Sequence, residues 1–78
     1  MNPIKRYNKE RDAAVSSFNV ETFKAFARKW GLPMPPTDKV IEITMRKMAC
    51  HINSLSEETK AEARKWLLDR GYTDSFGE

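Results

Sequence analysis

The chain withholds most of what would mark an enzyme, a secreted scaffold or a membrane protein. It has one cysteine, Cys50, so no internal disulfide can form and a disulfide framework is excluded. No apolar run exceeds three residues, far short of the roughly 18 that cross a bilayer. No basic segment followed by an apolar stretch opens the chain as a secretory signal would, so no membrane role and a cytoplasmic address are expected. Neither a GxGxxG nor a GxxxxGK[ST] phosphate loop occurs. β-branched residues are few and no Asn-Gly or Asp-Gly hairpin dipeptide is present, which excludes a sheet. Only three glycines and one histidine, His51, appear.

What remains is helix-forming and charged. With 78 residues, 40% apolar and 32% charged, the sequence supports one domain, 1–78, and not two. A domain this short buries only about 60% of the surface of its unfolded chain, so a partner or a homo-oligomer would add stability. The net charge of +3 is unevenly placed. Residues 1–30 carry seven Lys and Arg against three Asp and Glu, whereas residues 57–78 carry four against six.

Helix formers from Lys9 to Val15 predict a short first helix over about 8–16, with Ala13, Ala14 and Val15 as its contacts. Asn19 is the expected cap of a second helix from Val20 to Trp30, with Phe18 and Phe23 placed as a hydrophobic staple. Phe23, Phe26, Ala27 and Trp30 fall on one face of that helix, and Gly31 supplies the left-handed residue that closes it. Pro33, Pro35 and Pro36 make an extended connector. Thr37 caps a third helix over about 38–53, whose stripe is Ile41, Met45, Met48, Ile52 and Leu55. Ser56 caps a fourth that ends at Gly71, with Thr59, Ala63, Trp66 and Leu67 inward. The expected fold is all-α, a compact domain of three to four short helices, with residues 1–7 and 73–78 mobile.

Cys50 and His51 are the first residues to weigh for chemistry. Neighbours on a helix point roughly 100° apart, so the pair by itself supplies no chelating i, i+4 spacing, and its adjacency disfavours a nucleophile with its base. The carboxylates are explained by capping and surface pairing. No catalytic residue, metal or cofactor is expected, and the chain is read as not an enzyme. "FKAFARKWGL" superficially matches the first half of a helix-turn-helix, but prolines occupy the start of the would-be recognition helix. A basic set remains: Arg6, Lys9, Arg11, Lys24, Arg28 and Arg46 are candidate anion-binding residues for a nucleic acid or an anionic nucleotide, without sequence specificity. Leu32 and Met34, in the stiff connector, are candidate protein-contact residues.

Three stretches, "NKERDAAVSSFNVETFKAFARKWG", "DKVIEITMRKMACHINSL" and "EARKWLLDRGY", resemble small uncharacterised proteins of phages and prophages of Gram-positive (Firmicutes) bacteria. The resemblance departs at Arg46, where those proteins tend to carry a histidine. It implies a phage-encoded, non-enzymatic binding protein acting in the host cytoplasm by stoichiometric contact with a host or defence-system protein. The alternative reading is the nucleic-acid binder of the basic front half.

Overall fold

The computed structural model describes residues 3–75 and is all-helical: α1 (Pro3–Ser16), α2 (Val20–Lys29), α3 (Asp38–His51) and α4 (Glu57–Asp69). Residues 1, 2 and 76–78, the outer parts of the segments expected to be mobile, lie outside the described residues. No helix among the described residues is long and apolar enough to cross a membrane.

Three of the four helices start on a side-chain cap. Asn19, Thr37 and Ser56 all have extended backbone, and each accepts a hydrogen bond from the backbone N–H three residues on, at Thr22, Val40 and Thr59. That bond satisfies one of the donors a helix leaves open at its first turn. The closures of α2 and α4 are Schellman motifs. Leu32 N–H donates to Ala27 O at 2.9 Å and Gly31 N–H to Arg28 O at 3.3 Å; Tyr72 N–H and Gly71 N–H repeat the pattern on Leu67 O and Leu68 O. Gly31 and Gly71 have φ of +64° and +80°, the left-handed geometry that pattern needs.

Two helix boundaries depart from the expected ones by more than one residue, while α2 ends one residue early at Lys29 with Trp30 as its cap. α1 begins at Pro3 rather than near residue 8, so residues 3–7 are helical. Proline suits a first helical position, where its missing N–H would have had no partner. Tertiary contact then holds the early turns, because the Tyr7 ring packs on Phe26 at 5.6 Å and edge-on against Trp30 at 5.2 Å. α3 stops at His51, two residues early, because Ile52 turns to extended backbone and buries its side chain in the core.

α3 is the hub and packs against each of the other three helices, most extensively α4. Val15, Ile41, Met45 and Leu67 are fully buried at the centre, joined by Phe23, Ala49, Cys50, Ile52 and Ala63. The expected stripes thus supply the core. Ala13 and Trp30 sit farther out than expected, and Val40, beside the α3 stripe, is 40% exposed.

Between α1 and α2 the chain turns at Phe18, the one non-glycine residue among those described with positive φ, at 52°. Its N–H donates to Val15 O, and its ring packs over the core toward α3. A phenylalanine in this conformation is strained, so packing must hold it there.

Candidate cleft between the third and fourth helices

The six cations expected to bind anions do not form one open patch. Arg6 Nε lies 3.3 Å from Glu10 Oε2, and Lys29 hydrogen-bonds the other oxygen of the same carboxylate. Arg11 bonds Asp12 through Nε and Nη2 at 3.1 and 3.0 Å. Lys24 bridges the start of α3, at 2.7 Å from Asp38 and 3.6 Å from Glu21. Of the six, Lys9 and Arg28 are exposed and have no carboxylate partner among the described residues. Glu10 sits inside the groove of about 340 Å³ that Arg6, Lys9, Ala13 and Lys29 line with it. The hydrogen bond from Lys29, more than the charges nearby, holds its carboxyl below the ordinary 4.5. An anion entering that groove meets an anion already there.

Arg46 is the correction with the largest consequence. It is 8% exposed, the one buried charged residue among those described, and therefore no part of an outward-facing basic set. Its guanidinium carbon lies 4.1 Å from the Trp66 ring centroid and 5.0 Å from that of Phe18. Arg70, one turn after Trp66 on α4, brings its own guanidinium to 4.0 Å from the same indole. Two guanidinium groups thus lie against one indole. A planar, weakly hydrated cation tolerates this placement where an ammonium would not.

Charge pairing is sparse along that series of contacts. Glu42, one turn earlier on α3, offers Arg46 a carboxylate oxygen at 3.7 Å and a carbonyl at 3.5 Å. Burial lowers the Arg46 pKa, the charges of Glu42 and Glu62 oppose that, and the like charge of Arg70 adds to it. Arg70 donates to Trp66 O at 3.2 Å and has no carboxylate within reach among the described residues.

The indole forms part of the wall of a cleft of about 420 Å³ between α3 and α4, lined by Lys39, Glu42, Ile43, Trp66, Arg70 and Tyr72. Lys39, Glu42, Ile43 and Arg46 are spaced i, i+3, i+4, i+7, the α3 face beside the core stripe. Trp66 on α4 and Arg70 at its C-cap are spaced i, i+4, and the Schellman closure at Gly71 swings Tyr72 back onto the cleft. Helical spacing places Trp66 inward and gives no sign of Lys39, Arg70 or Tyr72 beside it. A signal was available in the pairing of an α3 arginine with a Trp-x-x-x-Arg turn on the next helix.

The connector residues named as protein-contact candidates lie apart from the cleft. Met34 is half-buried and packs against the core, and Leu32 is half-buried with its N–H committed to the α2 closure. Neither lines the cleft. Cys50 is 7% exposed, and burial pushes its thiol pKa up, away from a reactive thiolate. His51 is exposed, and its Nε2–H donates to Asp74 O at 2.7 Å. Lys47 Nζ donates to Ser75 O at 2.6 Å, and Arg64 Nε lies 3.5 Å from Asp74 Oδ2, so residues 74 and 75 rest on α3 and α4. Among the described residues no three His, Cys, Asp or Glu side chains gather as metal ligands would. No family model, no curated protein and no solved structure matches the chain.

Proposed function

We propose that this chain is a non-enzymatic binding domain that engages a partner protein through the α3–α4 cleft by stoichiometric contact. The observation that carries the reading is the ordered series Phe18, Arg46, Trp66 and Arg70, in which the buried Arg46 backs the Trp66 and Arg70 of the cleft wall before any partner arrives. Trp, Tyr and Arg dominate the energetics of protein interfaces. Side chains already locked in place lose less entropy on binding. The resemblance to small phage and prophage proteins supports a host or defence-system protein as the partner.

The test is capture by the immobilised full chain from a bacterial lysate, run beside a Lys39→Glu, Arg70→Glu chain of unchanged circular dichroism. A protein retained by the first and released by the second supports the reading. Identical retention by both chains overturns it. A second reading, phosphate contact by the front half, is favoured by Lys9 and Arg28 lacking carboxylate partners; it requires retention on DNA or RNA that falls steeply with salt.

A further inference from the structure

From the cleft's charge and shape we infer that it recognises an acidic peptide segment, seating a carboxylate between Lys39 and Arg70 and an adjacent apolar side chain against Ile43, Trp66 and Tyr72. The inference rests on the protein-binding reading above and adds the chemistry of what is bound.

Three cations converge on this region, Arg46 against the indole and Lys39 and Arg70 at the lining; Glu42 is the one carboxylate of the lining, and Glu62 on α4 also acts on Arg46. Glu42 is directed to Arg46, at 3.7 Å. Lys39 has no carboxylate partner among the described residues, and Arg70 has only the Trp66 carbonyl. A guanidinium has five donors, so most of the Arg70 fork is open to an acceptor. Arg70 is also oriented by its stacking on Trp66, which pre-aligns the fork for the planar two-oxygen geometry of a carboxylate. Tyr72, Ile43 and Trp66 are half-buried, so the walls are apolar surface still partly in water. A ligand that brings an anion and an apolar group side by side satisfies both at once.

A nucleic-acid strand fits this place less well. Its phosphates repeat and need a continuous basic track, whereas the grooves of α1 and α2 share no lining residue with the cleft and contain Glu10. Glu42 in the cleft lining would also face a run of phosphates. A single carboxylate placed between Lys39 and Arg70 avoids it.

The probe is a short peptide, amidated and acetylated at its ends, with one glutamate beside one phenylalanine among glycines and serines, compared with its glutamine twin, inorganic phosphate and a single-stranded oligonucleotide. The readout is the indole N–H resonance of Trp66 in the full chain, assigned against a Trp30→Phe variant. The acidic peptide is expected to move the Trp66 signal saturably and to leave Trp30 unmoved. The glutamine twin should bind about tenfold more weakly, and Lys39→Gln and Arg70→Gln should each weaken the acidic peptide about tenfold, as loss of a charge-assisted contact implies. Equal binding of the two peptides, or no movement of Trp66, overturns the inference. So does an oligonucleotide that displaces the peptide from the cleft, or self-association lost in Lys39→Glu, which would make a second copy of the chain the occupant. If the lysate partner depends on Lys39 and Arg70 while the acidic peptide does not bind, the carboxylate chemistry fails and the protein-binding reading stands. If the peptide binds and no lysate protein discriminates the two chains, the reading fails instead.

Discussion

Arg46 lies 4.1 Å above the indole of Trp66, a buried cation that rests on a ring more than on a carboxylate. Removing such a side chain and leaving a void is worse than replacing it with something apolar of similar length. Arg46→Ala is therefore expected to cost about 2–3 kcal/mol in urea denaturation, through lost packing between Phe18 and Trp66. Arg46→Met, which fills the space without a charge to desolvate, should stay within about 1 kcal/mol of the parent chain. Arg46→Lys should be worse than Arg46→Met, because a strongly hydrated ammonium cannot stack. The opposite order would mean that the charge itself holds the fold.

Gly71 closes α4 with φ of +80°, and a methyl group added there would meet no heavy atom within 4 Å. Its substitution thus isolates backbone strain from steric clash. Gly71→Ala is expected to lower stability by about 1–2 kcal/mol while leaving the helix content of the native state unchanged by circular dichroism. Phe18 poses the reverse case at φ 52°. Phe18→Gly relaxes the backbone yet removes a ring from the Arg46 contact, and the net effect should still be destabilising in a thermal melt.

The carboxylate of Glu10 joins α1 to α2 through Lys29, and its pKa is lowered by that hydrogen bond first. A lowered folded-state pKa means the unfolded chain takes up the proton more readily. The stability from this contact is accordingly present above the ordinary 4.5 and is lost as pH falls through the folded value. Glu10→Gln should melt below the parent at neutral pH, and the gap should close on acidification. A gap that stays constant with pH would show that the charge is irrelevant.

The thiol of Cys50 sits at 7% exposure with its pKa raised by burial. Alkylation by iodoacetamide is expected to be slow in the native chain and fast in urea, with the native rate tracking the open population. Mass spectrometry over time separates this from a surface thiol, which would react at the same rate in both.

Much of the scaffold was legible because it is written in local rules. Asn19, Thr37, Ser56, Gly31 and Gly71 are capping residues whose chemistry acts within one helical turn, and each does in the fold what its type and position imply. The stripes of Phe23, Ile41, Met45 and Leu67 repeat at helical spacing and became the core. The early start of α1 was hidden, since it depends on Tyr7 meeting Phe26 and Trp30 on another helix. The cleft was hidden for the same reason. Periodicity marks Trp66 as inward but says nothing of which cation from α3 will lie against it, and it offers Arg46 as one more surface charge. Whether a cation is open or paired is decided by helix packing: Lys24 finds Asp38 and Lys29 finds Glu10 only once the helices meet.

The crowding of α4 onto α3 across the turn at residues 52–56 also bears on the order of assembly. Contacts close in sequence form with little loop-closure entropy, so this helical hairpin is the natural nucleus of folding. α1 then docks late. Its outer turns hang on Tyr7 and Glu10, and they should be the first to exchange amide hydrogens with solvent while the hairpin is still protected.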